Sequence, residues 1–214
     1  MAIDPYASCP CGSGKKHKWC CQPIHEEIDR AFRQDAEGQH EAALKLMREV
    51  VERNADNPEA WGRLAQLLFQ AGQVEEAENA LQKAFDLSRS YPFGHLLRGL
   101  FRYHEGEIPG ALLLFRKAAD LYAPDALGPL GQTYALIADC ELKMNRPVAA
   151  RAALQVAIRC EPASEELRQN LEQIFGKESA LPEAARKEYA LRSPAPGVSG
   201  ERRAAWDRAL DGAG

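Results

Sequence analysis

Small and apolar residues recur along this chain with a period of 34, set among polar positions. Gly38, Gly72 and Gly106 stand 34 residues apart, as do Ala43, Ala77 and Ala111, and the larger apolar trio Met47, Leu81 and Phe115. A fixed period of that length predicts one helix-turn-helix unit used three times over. A fourth copy follows with a shift of five residues. In it Asn145 stands in the turn, Ala150, Leu154 and Ala157 follow, Pro162 closes the unit, and the extra residues fit Ala126 to Leu130. The units are placed at 24–57, 58–91, 92–125 and 131–164. Leu167, Leu171, Ile174 and Phe175 continue at helical spacing and start a cap placed at 165–191, with a further helix from Leu181 to about Leu191. Residues 192–214 then divide into a breaker-rich linker, Ser193 to Gly200, and a short helix from Glu201 to about Asp211 that carries Trp206 and Leu210 on one side.

The residue types follow from packing. Small Ala and Gly on facing helices allow close approach, while Leu, Phe and Met fill the space between neighbouring units. No single unit buries its own apolar face, so a periodic apolar stripe here is core first. Cys140 and Cys160 lie on such helices and read as small buried hydrophobes. No strands are evident, and the expected class is all-α.

The repeat resembles the tetratricopeptide repeat, whose signature is Trp, Leu-Gly, Tyr, then Ala, Phe, Ala and Pro at fixed intervals. The second unit carries Trp61, Leu64-Ala65, Leu68, Ala77, Leu81 and Ala84; the third Arg98-Gly99, Ala111, Phe115 and Ala118; the fourth Tyr134, Ile137-Ala138, Ala150, Leu154, Ala157 and Pro162. The first unit is degenerate, with Ala31 in the small-residue position but Glu27 and Arg30 at usually apolar ones. The resemblance implies a helical-hairpin solenoid of about four repeats plus a capping helix. It also implies that binding occurs on the concave surface, lined by the first helix of each unit. Laying the repeat on the chain sends Phe32, Gln66, Phe69, Gln70, Phe93, Leu96, Leu100, Tyr103, His104 and Asp139 toward that groove. Only Arg63 and Lys143 lie nearby as cations, which argues against a clamp for a terminal carboxylate. An apolar groove with polar rims suits an amphipathic helix or an extended hydrophobic segment. The alternative is that these residues pack within the protein itself, with the Trp206 helix among the candidate occupants.

The chemistry-bearing feature lies before the repeats. Cys9, Cys11, Cys20 and Cys21 occur within thirteen residues as Cys-x-Cys, eight residues, Cys-Cys. Two thiolates one residue apart can grip one ion, a Gly-rich turn reverses the chain, and the Cys20-Cys21 pair closes a tetrahedral site. A disulfide knot is disfavoured, because adjacent cysteines bond one another only with strain. Gly12 and Gly14 are expected to let backbone N–H groups approach the sulfurs. Residues 9–16, Cys-Pro-Cys-Gly-Ser-Gly-Lys-Lys, resemble the SEC-C motif found at the C-terminus of the preprotein translocase motor ATPase and in many small bacterial proteins. That resemblance implies Cys9, Cys11, Cys20 and Cys21 as the metal ligands. His17 stands where the family generally has Tyr or Phe, and could compete as a ligand; Trp19 stands where it tends to have a polar or basic residue. Zinc is the expected ion, with iron as the alternative, since soft sulfur ligands accept both.

Composition adds the setting. The chain has 214 residues, 45% hydrophobic and 27% charged, enough for a short repeat array. Its first residues lack the basic and apolar regions of a secretory signal, and no run approaches the roughly 18 apolar residues of a membrane span. A cytoplasmic chain with reduced or metallated thiols is expected. Residues 1–23 carry Lys15, Lys16 and Lys18 against Asp4, a net +2, which leaves −6 for the remainder of the chain's −4. The acidic remainder disfavours nucleic acid as a direct partner other than in the ribosome. No phosphate loop or spaced catalytic set is present, and a site with four cysteine ligands has no open position, so no enzyme activity is expected.

These features make the expected organisation 1–23 metal-binding motif, 24–191 repeat domain and 192–214 linker and helix. The expected function is a non-enzymatic adaptor. What the SEC-C resemblance implies is docking to the ribosome or a protein-export chaperone, through a face of Lys15, Lys16, Lys18 and Trp19. The groove would bind a peptide or client segment. The alternative function is a dedicated regulatory or scaffold subunit of an enzyme, with the metal loop serving only as an N-terminal cap on the array.

Overall fold

The computed structural model describes residues 4–7 and 9–175. Among the described residues a 3-10 turn, His17–Trp19, precedes nine α-helices: α1 (Gln22–Ala36), α2 (His40–Arg53), α3 (Pro58–Gln70), α4 (Val74–Leu87), α5 (Pro92–His104), α6 (Ile108–Leu121), α7 (Leu127–Lys143), α8 (Pro147–Cys160) and α9 (Glu165–Phe175). The fold is all-α and of the tetratricopeptide helical-hairpin class. None of these helices is long and apolar enough to cross a membrane.

The 34-residue period has a direct backbone cause. Gly38, Gly72 and Gly106 have φ of 81°, 75° and 81°, the left-handed region that closes a helix cheaply only when no Cβ is present. At each, the glycine N–H bonds back three residues and the next N–H bonds back five: Gln39 to the Gln34 carbonyl at 2.8 Å, Gln73 to Leu68 at 2.9 Å, Glu107 to Arg102 at 2.9 Å. The fourth turn repeats the pair, Asn145 to Leu142 at 2.9 Å and Arg146 to Glu141 at 2.8 Å, with Asn145 at φ 56°. Asparagine tolerates this conformation but is not free of strain in it. Asn145→Gly is therefore expected to stabilise the protein by about 0.5–1 kcal/mol in chemical denaturation. A destabilised variant would show that the Asn side chain, rather than the backbone, secures this turn.

The chain divides into two compact units, Met1–Arg98 and Gly99–Gly214. In the first, α1 packs on α2 and α3, α2 on α3, and α3 on α4. Met47 and Leu81, equivalent by the period, are both fully buried there. Glu27 of the degenerate first repeat pairs with Arg53 at 3.1 Å, while Ile24, Ile28 and Ala31 supply the buried side of α1. The Tyr91 ring lies so close to the α3 backbone that a Cβ on Gly62 would be 2.5 Å from it.

In the second unit α6 packs on α7, α7 on α8 and α8 on α9. Phe115, third of the apolar trio, is fully buried against Gly99. α7 runs 17 residues and begins at Leu127, four residues before the unit expected at 131. Four of the five inserted residues, 127–130, lengthen that helix by a turn, and Ala126 stands at its N-cap. Pro129 is tolerated because it falls in the first turn, where backbone N–H groups have no intrahelical partner. Cys140 and Cys160 are buried, and burial pushes their thiols up to about 12 and about 11. They are buried in the core, as the apolar stripe implied. The described cap is α9 alone; residues 176–191, the linker and the helix with Trp206 lie outside the described residues.

Candidate metal centre and adjoining surfaces

Short backbone bonds fold the N-terminal segment into a closed loop. Cys9 N–H donates to the Lys15 carbonyl at 2.8 Å, His17 N–H to Ala7 at 3.0 Å, and Lys18 N–H to Pro5 at 2.8 Å. Gly12 and Gly14, at φ 74° and 75°, make the reversal between the two cysteine pairs. All four sulfurs lie within 4.8 Å of one another, every cysteine is buried, and none is in a disulfide. Two sulfur separations are 3.5 Å, Cys11 to Cys20, and 3.8 Å, Cys20 to Cys21. A tetrahedron with zinc–sulfur bonds of about 2.3 Å has edges of about 3.8 Å, close to these two separations, so the donor set is of a size and type that could hold a zinc-sized ion. His17 is not part of the set. It is buried beside the group, with Nδ1 3.6 Å from Cys9 Sγ and its ring on His25.

The thiols do not ionise alike. Hydrogen bonding from Cys11 and Cys21 pulls Cys9 down, to about 4, whereas burial raises Cys20, and the Cys11 and Cys9 neighbours raise Cys21. Binding a dication must therefore displace protons from the raised members. The expected Gly12 contact to sulfur is replaced by others: Gly12 N–H bonds the Cys9 carbonyl at 3.2 Å, the backbone N–H groups of Cys11 and Cys21 bond the Cys9 sulfur, and two side chains approach the other sulfurs. Ser13 Oγ lies 3.1 Å from Cys20 Sγ, and Asn57 Oδ1 3.6 Å from Cys21 Sγ. Asn57 Nδ2 also donates to the Cys20 carbonyl at 3.0 Å, while Oδ1 caps α3 by accepting from Glu59 N–H at 3.0 Å.

The loop is seated on the first unit. The cysteines share a buried cluster with Ala84 and Tyr91, and Trp61 and Phe93 pack against it. A Cβ at Gly12 would meet Ser90 and Ser88 at 2.8 and 2.9 Å, which places the loop tip directly on the turn before α5. Lys15 Nζ pairs with Asp56 at 2.7 Å. The outer side is different. Lys16, Lys18 and Trp19 are exposed, Trp19 by 65%; it meets Tyr6, 55% exposed, edge to face at 6.0 Å. Lys18 Nζ stands over both rings, 5.0 Å from Tyr6 and 5.9 Å from Trp19, and donates to Tyr6 Oη at 3.0 Å.

A polar chain runs beneath the loop. Tyr91 Oη donates to Glu59 Oε2 at 2.8 Å, Glu59 Oε1 accepts from Arg63 Nε at 2.7 Å, and Arg63 Nη1 donates to Gln66 Oε1 at 3.1 Å. Arg63 also lies over the Phe93 ring at 3.9 Å. Burial opposes ionisation of Glu59, but the Arg63 charge and the hydrogen bonds from Arg63 and Tyr91 outweigh it and hold the carboxyl below its ordinary 4.5. A lowered value contributes stability above that ordinary value, and the contribution is lost as pH falls through the folded value. Urea melts of wild type and Glu59→Gln are expected to differ most near neutrality and to converge in acid. A gap independent of pH would contradict the ionised assignment.

The ten residues assigned to a groove divide between the two units. In the first, Phe32, Gln66, Phe69 and Phe93 are half-buried and Gln70 is exposed, but Leu96 is 6% exposed and belongs to the core. In the second, Leu100, Tyr103 and Asp139 are half-buried and His104 is exposed. Tyr103 Oη donates to Asp139, and Lys143 Nζ stands 5.2 Å from the Tyr103 ring.

Two family models described as tetratricopeptide repeat match residues 36–89 and 64–126, and none matches the cysteine segment. No curated protein matches the chain. Among solved structures, a chain of the APC/C hetero-tetramer Cut9–Hcn1 is similar at TM-score 0.60 and 18% identity, over 86% of this chain and 36% of that one. This chain thus spans about a third of that relative. Pseudomonas aeruginosa PilF is similar at TM-score 0.61 and 15% identity, over 86% and 87% of the two chains. MamA is similar at 0.52 and 16%, over 85% and 92%. These likenesses establish the fold.

Proposed function

We propose that residues 36–126, whose tetratricopeptide repeats make the chain a protein-interaction scaffold, serve a non-enzymatic adaptor with a metal-held N-terminal docking loop. The observation that carries this reading is the exposed Tyr6–Lys18–Trp19 group on the outer side of a loop whose inner side is anchored. A rigid aromatic pair rimmed by cations is the composition of an interface anchor. Lys16 and Lys18 flank Trp19, whereas Lys15 serves the attachment to Asp56. The partner class is a ribosome or a protein-export chaperone, on the SEC-C resemblance of residues 9–16, and the repeat surface takes a peptide or client segment. Zinc, or iron in its place, would be held by Cys9, Cys11, Cys20 and Cys21, and would supply structure rather than chemistry.

Sedimentation with purified ribosomes, and titration with a purified export chaperone, test the docking face. Trp19→Ala and the pair Lys16→Glu, Lys18→Glu are each expected to weaken one of these associations about tenfold or more, with metal content and helicity unchanged. Binding that survives all three substitutions would remove the docking role. It would favour the second reading, a regulatory or scaffold subunit whose metal loop only caps the array. The contacts of the loop with Asn57, Asp56, Tyr91 and Ser88–Ser90 are what support that reading.

A further inference from the structure

Within the first unit a continuous line of contacts joins the four thiols to residues on the peptide-facing side of the repeats. The cysteines and Tyr91 form one buried cluster, and Tyr91 is 1% exposed. Its ring lies directly against the backbone at two glycines. A Cβ at Gly62 would lie 2.5 Å from it and one at Gly94 2.7 Å, so the space between α3 and the start of α5 is filled by that ring. From its hydroxyl the line continues through Glu59 to Arg63, and from Arg63 to Gln66 and to the face of Phe93. Gln66 and Phe93 are two of the groove residues assigned from the repeat. Asn57 adds a second connection, since one side chain holds both the Cys20 carbonyl and the N-terminus of α3.

We propose that Tyr91 is a positioning residue through which the metal centre sets Arg63, Gln66 and Phe93, so that the peptide-facing side of α3 and the start of α5 is ordered only while the loop is metallated. This rests on the reading of the cysteine loop as a metal centre. Four thiolates gathered on one ion fix the surface against which the Tyr91 ring is wedged. Without the ion the four thiols are joined only by weak contacts such as Cys11 to Cys20 and Cys21 to Cys20, so the wall beside the Tyr91 ring loosens and the packed ring loosens with it. The hydroxyl then carries the displacement to Glu59, whose two oxygens are divided between Tyr91 and Arg63. Coupling of this kind needs only a packed element with two arrangements that both ends bias. Its consequence is that the affinity of this surface for a peptide follows metal supply.

The full chain, loaded with one equivalent of zinc or stripped by a chelator, is compared by amide hydrogen exchange and by the Arg63 Nε–H resonance. In wild type, zinc is expected to slow exchange over residues 58–70 and 92–98 about tenfold and to shift the Arg63 signal. Tyr91→Phe keeps the ring in place but removes the hydroxyl. It is expected to bind one equivalent of zinc as wild type does, while its Arg63 signal no longer responds. Zinc binding without any change at residues 58–70 and 92–98, or an Arg63 response that survives in Tyr91→Phe, overturns the inference and leaves the metal centre standing. A wild-type chain that takes up no zinc overturns the metal reading itself.

Discussion

Cys11→Ser is expected to lower the stability of the whole Met1–Arg98 unit, not of the loop alone. Cys11 is 2% exposed, 3.5 Å from Cys20, and part of the cluster that includes Ala84 and Tyr91, so loss of the ion uncovers repeat residues as well as loop residues. An ion bound only by the folded state stabilises it by about 4 kcal/mol when free zinc is 1,000 times its dissociation constant. For a chain of this size that corresponds to roughly 8–16 °C in Tm. Chelation of wild type is expected to reproduce the same loss, and the variant should then be indifferent to the chelator. Cys140→Ser is the control: it alters a buried thiol of the second unit and is expected to leave metal content unchanged. Thermal melts with metal analysis check all three. Equal Tm for wild type with and without chelator would contradict the account.

The second large effect is expected at Glu141. This carboxylate is fully buried at the end of α7, bonded to Arg116 and 3.6 Å from Arg146. Its backbone carbonyl also closes the α7–α8 turn by accepting from Arg146 N–H at 2.8 Å. Desolvating a charge costs several kcal/mol, which two guanidinium groups offset here. Removing that charge alone sets a neutral amide against Arg116 in a buried place. Glu141→Gln is therefore expected to cost about 3 kcal/mol, or roughly 6–12 °C. Combining Glu141→Met with Arg116→Leu should cost less than Glu141→Gln, because an apolar pair of similar volume removes both charges together. Denaturant melts of the single and double variants decide this. A Glu141→Gln penalty below about 1 kcal/mol would show that the group is not held as an ion pair.

Much of the architecture was legible because one backbone requirement is written into one residue type. The left-handed turn demands Gly or Asn, so Gly38, Gly72, Gly106 and Asn145 marked the hairpins before any contact was known. The thiol cluster was legible for a similar reason, since ligand spacing is local. The start of α7 was less so: an insertion of five residues is compatible with a loop or an extra helical turn, and packing against α6 and α8 decided for the helix. Leu96 is buried, and its repeat position alone did not tell how far its side chain would be covered. The anchoring of the loop could not be read at all. Asn57 before Pro58 signals a helix cap, and it is one. Its bond to Cys20 spans 37 residues, and no local pattern encodes such a pairing. The same holds for Lys15 with Asp56 and for Tyr91 with Glu59. Sequence therefore shows a loop that can hold a metal, and the structure adds that the loop is built into the first repeats.

The most direct test of that account is the metal content and X-ray absorption spectrum of natively purified full-length protein. One ion per chain, coordinated by four sulfurs at about 2.3 Å, is the expected result for zinc in this thiol set. Protein purified under reducing conditions that carries no ion and takes up none on reconstitution, or that shows nitrogen or oxygen ligands in place of the cysteines, would contradict it.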